Sequence, residues 1–189
     1  MGELVLVRHG ETQWSRAGKH TSWTDLPLTD VGRDRAPRLR KALSARGYAL
    51  VLASPRRRAR ETAELAGFAA YTVEDDVAEW NYGDYEGRTT AEIRVDHPGW
   101  TIWTGDPPGG ETAEQVGARA DRLLGRISAA MGRGDVLVFG HGHFSRVLTA
   151  RYLRLPPTDG RLVVLDPATL CVLGPEHDYP AIRTWNASV

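Results

Sequence analysis

The chain has 189 residues, enough for one domain with a full hydrophobic core, and its 41% apolar and 25% charged residues are ordinary for a soluble globular protein. The 24 basic residues balance the 24 acidic ones, so the net charge points to neither nucleic acid nor an anionic membrane, and we expect neither as a partner. No apolar run approaches the roughly 18 residues of a membrane helix, and the charged segment that begins at Arg8 comes too early for a signal peptide; we therefore expect a cytoplasmic protein.

The first predicted element is a short buried strand over residues 3–8, because its apolar run is too brief for a helix. Residues 12–24 are polar and are predicted to form a loop near the strand end. Thr29 or Asp30 is expected to cap a helix. Pro37 lies inside that helix, where a proline costs roughly 3 kcal/mol, so we expect a kink or a late helix start there.

The middle of the chain alternates between strands and helices. Residues 49–53 are predicted to form a second buried strand. A helix is expected to follow, with Ser54 as its N-cap and Pro55 in its first position. Thr89 is expected to cap a short helix, and the longest helix is expected to open at Glu111-Thr112.

The last third begins with a third apolar strand, residues 135–140, which leads directly to His141. Residues 162–165 and 170–173 are predicted as two strands joined by a turn, and residues 182–185 as a last strand. Strands that alternate with helices predict an α/β fold, a three-layer α/β/α sandwich with a mostly parallel central sheet. No repeat or linker interrupts residues 1–189, so we expect a single domain.

Three predicted strands end in polar clusters, at residues 8–10, 54–58 and 140–142. Ligands of open α/β sheets bind beyond the carboxyl ends of the strands, so two histidines and at least one arginine are expected to converge there. Arginine and histidine without a cysteine, a carboxylate pair or a glycine-rich loop suit a dianionic phosphate better than a metal or a nucleotide. We therefore predict that His9 is a nucleophile toward a phosphoryl group.

Four motifs resemble those of the histidine phosphatase superfamily, which includes the phosphoglycerate mutase-like enzymes. The first is Arg-His-Gly-Glu-Thr at residues 8–12, and the second is the serine, Arg-Ala and Thr-Ala pattern of residues 54–63. The third is the acidic segment at residues 79–87, and the fourth is His-Gly-His-Phe-Ser-Arg at residues 141–146. The four motifs occur in the family's order and span nearly the whole chain.

The resemblance implies a role for each motif. His9 would attack as neutral imidazole and form a phosphohistidine, and neighbouring arginine charges would lower the pKa of His9. Arg8, Arg58 and His141 would surround the oxygens of the phosphoryl group and offset their charge without a metal or a cofactor. Glu79 would protonate the leaving oxygen and then take a proton from the attacking water.

Within the superfamily, residues 18–29 and 82–87 are similar to a branch that contains acid phosphatases and sedoheptulose-bisphosphatase-like enzymes. Ser15 stands where many members have asparagine, and its hydroxyl can still donate to the phosphoryl group. The resemblance implies the following substrate-binding residues: Ser15, His20, Thr21, Tyr82, Arg146 and, as a further phosphate contact, His177.

Several of these residues have alternative interpretations. Glu86 is a rival to Glu79 as the proton donor. His141, His143 and His177 can be interpreted as a metal site, but their spacing lacks the i,i+4 pattern of a helical site, and we predict no metal.

Other polar residues have structural interpretations. Arg56, Arg57 and Arg60 resemble a nucleic-acid patch but are predicted to form a solvated helix face. Glu11 is either a helix N-terminal charge or part of the site. Cys171 is predicted to be a buried, inert thiol.

The sequence therefore predicts a metal-independent phosphatase without a cofactor, whose partner is a small-molecule phosphate ester, with a sugar phosphate as the expected substrate. Both a monomer and a homo-oligomer are compatible with the sequence. One alternative is a phosphoglycerate-type mutase, against which the modest length of residues 88–133 argues. The other is a non-catalytic binder of phosphorylated ligands, against which the intact motif residues argue.

Overall fold

A six-stranded sheet forms the centre of the molecule in the computed structural model, which describes residues 2–188. The strands are β1 (Leu4–Arg8), β2 (Tyr48–Ala53), β3 (Thr72–Val73), β4 (Asp135–Gly140), β5 (Leu170–Glu176) and β6 (Tyr179–Ala187). Their order is β3-β2-β4-β1-β5-β6. The first three pairings are parallel, and β5 and β6 complete the sheet as antiparallel strands. The expected mostly parallel sheet is therefore confirmed, with an antiparallel hairpin at one side.

Helices cover both faces of the sheet. They are α1 (Gln13–Arg16), α2 (Asp30–Arg35), α3 (Leu39–Ser44), α4 (Arg57–Leu65), α5 (Thr90–Asp96), α6 (Ala113–Met131) and α7 (Gly142–Tyr152). In β1, Leu4 and Leu6 belong to the core under α6 and α7, whereas Val5 and Val7 belong to the core under α3 and α4. This alternation follows from the two-residue period of a strand and gives the predicted three-layer α/β/α sandwich.

The helix that contains Pro37 is interrupted, as its sequence predicts. α2 ends at Arg35, one turn of 3-10 helix covers Ala36–Arg38, and α3 begins at Leu39. Thr29 is the N-cap of α2, because its hydroxyl accepts a hydrogen bond from the amide of Gly32 at 3.1 Å. Proline is tolerated in the first turn of a helical segment, so a break costs less than a continuous helix would.

The predictions for the other helix starts have mixed outcomes. Thr89 and Thr112 cap α5 and α6 with reciprocal side-chain hydrogen bonds, and α6 is the longest helix in residues 2–188, as expected. The prediction for Ser54 is wrong, since α4 begins at Arg57 and Arg56 occupies the cap position. Ser54 instead contacts the histidine that follows the neighbouring strand β4, as described below.

Two loop and strand predictions also need correction. Residues 162–165 do not form a strand; they leave a 3-10 turn over Pro157–Leu162 and continue as irregular chain. The predicted loop at residues 12–24 contains the single-turn helix α1. In the described part of the chain, residues 2–188, none of the helices is both long and apolar enough to cross a membrane.

Candidate active site

Three parallel strands deliver the predicted chemistry to one edge of the sheet. β1, β2 and β4 end at Arg8, Ala53 and Gly140, and the register pairs Arg8 with Gly140. His9 and His141 are the residues that follow β1 and β4, and their ring centroids lie 5.2 Å apart. The convergence expected from the strand ends is therefore present.

The hydrogen bonding of His9 defines which ring nitrogen can react. Its Nδ1 lies 2.7 Å from the carbonyl oxygen of Gly10, which can only accept, so Nδ1 carries the hydrogen. The lone pair of Nε2 is then available for attack. Burial, and then the charges of Arg58 and Arg8, hold the pKa of His9 well below its ordinary value of 6.5. His9 is therefore a neutral imidazole, the form that a nucleophile requires.

The glycine after His9 lets two backbone segments approach closely. A Cβ on Gly10 would lie 2.9 Å from the carbonyl oxygen of Gly32, closer than real side chains come. The amide of Gly10 donates to the hydroxyl of Thr62 at 3.0 Å. Thr62 belongs to the second motif, so this bond connects the first motif to α4.

Arg8 and Arg58 are buried cations with unused donors. Arg8 donates through Nη1 to the carbonyl oxygen of Leu165. Arg58 donates to three loop carbonyls at 2.9–3.1 Å, those of Thr21, Ser22 and Thr24. The Nε atoms of both arginines are buried and have no partner among residues 2–188. Leaving a buried N–H unpaired is costly, and a phosphate oxygen would satisfy it.

His141 offers a third unused donor. Its Nε2 lies 2.7 Å from the hydroxyl of Ser54, and that hydroxyl accepts from the amide of Arg56 at 3.3 Å. Ser54 can therefore give its hydrogen to Nε2, which leaves the hydrogen of His141 on Nδ1. Nδ1 is buried without a partner in the described chain. Burial and the charge of Arg58 lower the pKa of His141, so the ring acts as a neutral donor.

Glu79 lies in the same cavity, held by main-chain amides. One carboxylate oxygen accepts from the amides of Trp80 at 2.9 Å and Phe144 at 2.7 Å, and the other accepts from the amide of His143 at 3.0 Å. The last two amides belong to the first turn of α7. Arg119 donates to the carbonyl of Glu79 at 3.3 Å and thereby fixes the segment that carries the acid.

The rival acid Glu86 has a different position. Its carboxylate accepts from the amides of Ser22 at 2.8 Å and Thr24 at 3.0 Å, and it does not line the cavity. These bonds hold the loop whose carbonyls receive Arg58. The geometry therefore favours Glu79 as the acid and gives Glu86 the role of holding a loop.

The cavity has a volume of about 370 Å³ and opens beyond the strand ends. The predicted residues that line it are Arg8, His9, Ser15, His20, Thr21, Glu79, Tyr82 and Arg146. Arg58 and His141 are fully buried against His9. The hydroxyl of Ser15 donates to the carbonyl of Thr12 at 3.1 Å, so its hydrogen is used in the cap of α1.

Aromatic and basic side chains form another part of the cavity wall. His20 Nε2 lies 3.2 Å from the hydroxyl of Thr90, and burial lowers the pKa of His20 to about 4. Arg146 donates to the carbonyl of Gly160 at 3.0 Å, and its guanidinium lies 4.6 Å from the ring centroid of Trp103. This wall can contact the part of a ligand that remains outside the phosphate pocket.

The structure does not bring His177 to the cavity. His177 lies in the turn between β5 and β6, with 87% of its side chain exposed. Because β5 runs antiparallel to β1, this turn is at the edge where β1 begins, opposite His9. The same separation excludes a metal site formed by His141, His143 and His177. Within residues 2–188, no group of three histidine, cysteine or acidic side chains is placed to hold a metal.

Three structural predictions can also be compared with the fold. Arg57 is exposed as predicted, but Arg56 and Arg60 are half-buried and do not belong to a solvated face. Glu11 accepts from the hydroxyl of Thr29 at 2.7 Å and does not line the cavity. Cys171 is buried and free, and burial raises its pKa to about 11.

Sequence reasoning gave Arg119 no role and considered His143 only in the metal alternative. Arg119 carried a signal, because it follows Val116 by three residues on the apolar side of a predicted helix, where a charge needs partners. His143 lies within the fourth motif, but only its neighbours matched predicted roles. Trp103 lies in an irregular segment, and nothing in the sequence places that segment against α7.

Comparison with known proteins identifies the family of this chain. The sequence profile of the histidine phosphatase superfamily (branch 1) matches residues 4–188. An acid phosphatase of Mycobacterium tuberculosis is 42% identical over 92% of this chain and 87% of its own length. Sedoheptulose 1,7-bisphosphatase of Saccharomyces cerevisiae is 35% identical over 80% of this chain and 67% of its own.

A solved structure is similar throughout. The product of an open reading frame of Mycobacterium tuberculosis superposes with a TM-score of 0.95 at 39% identity, covering 99% of this chain and 98% of that one. The predicted family, its acid phosphatase and sedoheptulose-bisphosphatase branch and the enzyme class, a phosphoric monoester hydrolase, are confirmed. The chain belongs to the histidine phosphatase superfamily, branch 1.

Proposed function

We propose that this phosphatase hydrolyses small phosphorylated metabolites, in particular sugar phosphates, through a phosphohistidine on His9. The proposal rests on the pairing of a neutral His9 with three buried N–H donors, where neither Nε2 of His9 nor these donors have a partner in residues 2–188. Those donors belong to Arg8, Arg58 and His141. A phosphoryl group between them would supply the missing acceptors.

The reaction follows from these groups. Nε2 of His9 attacks phosphorus, and the bond from phosphorus to the ester oxygen breaks. Glu79 gives its proton to that oxygen, so that the alcohol leaves neutral. A water molecule then attacks the phosphohistidine and gives a proton to Glu79, and inorganic phosphate and free His9 result. Arg8 and Arg58 offset the charge of the phosphoryl oxygens in both steps without a metal.

The substrate class is supported by the size of the cavity and by the names of similar proteins. About 370 Å³ accommodates a small metabolite, and the cavity wall offers His20, Thr21, Tyr82 and Arg146 to the part of it beyond the phosphate. Two similar proteins are named for sedoheptulose 1,7-bisphosphate and for glucosyl-3-phosphoglycerate, both phosphorylated carbohydrate derivatives. A metabolite phosphate is therefore the proposed partner, without nucleic acid or a membrane.

The remaining expectations become proposals of the same kind. We propose one domain, because the central sheet combines strands from both ends of the described chain. We propose a cytoplasmic location, which a free buried Cys171 suits because no disulfide depends on an oxidising compartment.

Phosphate release in the presence of EDTA tests the function. The substrates are p-nitrophenyl phosphate, sugar phosphates, sugar bisphosphates and 3-phosphoglycerate, and we expect release from the sugar phosphates. His9→Ala should reduce turnover by about 10⁴-fold or more and abolish the acid-labile phosphoenzyme, because the nucleophile is lost.

Two results would contradict this proposal. A phosphoenzyme that persists in His9→Ala would refute the assignment of His9. Isomerisation of 3-phosphoglycerate that is faster than phosphate release would favour the mutase alternative.

A further inference from the structure

The pair formed by Tyr82 and His143 fixes the position of a hydrogen at the cavity wall. The Tyr82 hydroxyl lies 2.7 Å from Nδ1 of His143, and Tyr82 is only 2% exposed. That nitrogen is the only hydrogen-bond partner of the hydroxyl among residues 2–188. A buried phenol needs an acceptor for its hydrogen, so Tyr82 donates to Nδ1. The hydrogen of the neutral His143 ring is therefore on Nε2.

Nε2 of His143 is a donor that the fold leaves unused. His143 lines the cavity, and within residues 2–188 its ring makes no hydrogen bond other than the one at Nδ1. The ring packs edge-on against Trp103, with centroids 5.4 Å apart, and lies 6.0 Å from His20. These contacts hold the ring plane, so Nε2–H is a preorganised donor.

The main chain of His143 places this donor beside the proton donor. Its amide donates to the carboxylate of Glu79 at 3.0 Å, and both residues line the cavity. Glu79 acts on the ester oxygen of the leaving group. Because the phosphoryl group is assigned to Arg8 and Arg58, the leaving alcohol is the part of the substrate that a donor of the residue bonded to Glu79 is suited to contact.

The surroundings keep His143 neutral. Burial, and then the charges of Arg146, His20 and Arg8, hold the pKa of His143 well below its ordinary value. A neutral N–H adds no charge for a second phosphate, which Arg146 on the same helix is better suited to contact. It does suit the oxygen of a hydroxyl group, which an alkyl chain lacks.

We propose that His143 is a specificity-determining residue whose Nε2–H donates to a hydroxyl oxygen of the leaving group, close to the ester oxygen that Glu79 protonates. The site then favours phosphates of polyhydroxylated alcohols over alkyl and aryl phosphates. This inference rests on the proposed phosphatase function and specifies its substrate class. A site built around a donor rejects an analogue without the acceptor, because the donor is left unpaired.

A matched pair of substrates tests the inference. Glycerol 3-phosphate and propyl phosphate both carry a primary three-carbon alcohol, and they differ in the hydroxyls of the leaving group. The wild-type kcat/KM should be higher for glycerol 3-phosphate. His143→Leu should lower it about tenfold for glycerol 3-phosphate, the value of roughly one hydrogen bond, and less than about twofold for propyl phosphate. His143→Gln keeps an N–H donor and should restore part of the preference.

A second pair of variants tests the role of the phenol. Tyr82→Phe removes the hydroxyl that fixes the hydrogen on Nε2, and it should reduce the preference for glycerol 3-phosphate by a smaller factor than His143→Leu does. Tyr85→Phe is the control, because Tyr85 is also buried and its hydroxyl makes no hydrogen bond with residues 2–188. Its substrate preference should equal that of the wild type.

Three outcomes would count against the inference. Equal losses on both substrates in His143→Leu would show a merely structural role and overturn it. A wild-type enzyme that hydrolyses both substrates without preference would overturn it and leave the phosphatase function standing. Absence of phosphate release from these substrates and from p-nitrophenyl phosphate would refute the proposed function itself, and the inference with it.

Discussion

The two ends of the cavity are built in different ways. The inner end consists of Arg8, His9, Arg58 and His141. Arg8 ends a parallel strand, the two histidines follow parallel strands, and Arg58 lies in the first turn of α4. The outer end consists of His20, Tyr82, Trp103, His143 and Arg146, which come from loops and from α7. The inner end is fixed by the sheet, whereas the outer end depends on which loop packs against which helix.

We expect the inner end to determine the reaction and the outer end to determine which substrates are preferred. At the inner end, His9 and Arg58 are each bonded to backbone carbonyls, so their positions follow from the path of the main chain. At the outer end, side chains contact other side chains, as in the pairs Tyr82–His143 and Arg146–Trp103. Substitutions at the inner end should therefore affect all substrates, and those at the outer end should affect some of them.

After the loss of the nucleophile in His9→Ala, the largest effect is expected for Glu79→Gln. The variant cannot protonate a leaving alkoxide, so kcat for a sugar phosphate should fall about 10²- to 10³-fold. The loss on p-nitrophenyl phosphate should be much smaller, because nitrophenolate leaves without a proton. Steady-state kinetics on the two substrates measure the difference.

Glu86→Gln is the matched control for this comparison. It loosens the loop that receives Arg58 at the inner end, so it should slow both substrates by a similar factor. If Glu86→Gln instead slows only the sugar phosphate, Glu86 is the acid and the assignment of Glu79 is wrong.

An intermediate effect is expected when the pH is lowered, namely a loss of folding stability to which histidines of both ends contribute. Burial is the largest cause of the lowered pKa values of His9, His141, His143 and His20, the last to about 4. Unfolded histidines titrate near pH 6.5, so below that pH the unfolded chain binds more protons than the folded one. The free energy of unfolding should fall as the pH drops from 6.5 toward 4, by roughly 1 kcal/mol per histidine for each pH unit.

Urea unfolding at pH 7.5 and pH 5.5 measures this loss. His20→Gln removes one of the four groups and should make the pH dependence shallower. A free energy of unfolding that stays constant between the two pH values would contradict the buried, neutral state of these rings.

The smallest effect is expected for His177→Ala, outside both ends. Its side chain is 87% exposed in the turn between β5 and β6, at the opposite edge of the sheet. Phosphatase kinetics on every substrate should equal those of the wild type. A selective rise in KM for a phosphorylated sugar would show that the turn reaches the substrate after all.

The inner end could be predicted from the sequence because it depends on local rules. Apolar runs of strand length ending in Arg8-His9 and in His141 are sufficient to place both histidines at one edge of a parallel sheet. The break at Pro37 and the caps at Thr29 and Thr112 also follow from local chemistry.

The errors have a common cause, which is contact between distant segments. Ser54 has the residue type of an N-cap, but its hydroxyl is bonded to His141, 87 residues away. Residues 162–165 have the composition of a strand, yet β5 already pairs with β1 and β6 on its two sides. The resemblance implied a phosphate contact for His177. Because β5 runs antiparallel to β1, His177 lies at the edge of the sheet opposite the site.

The main-chain hydrogen bonds that hold the Glu79 carboxylate have an evolutionary consequence. Two of its three hydrogen bonds come from the amides of His143 and Phe144, atoms that every amino acid except proline retains. The side chains at positions 143 and 146 can therefore change while Glu79, the proposed proton donor, keeps its position. Substitutions within one turn of α7 can therefore change the substrate preference during evolution without displacing Glu79.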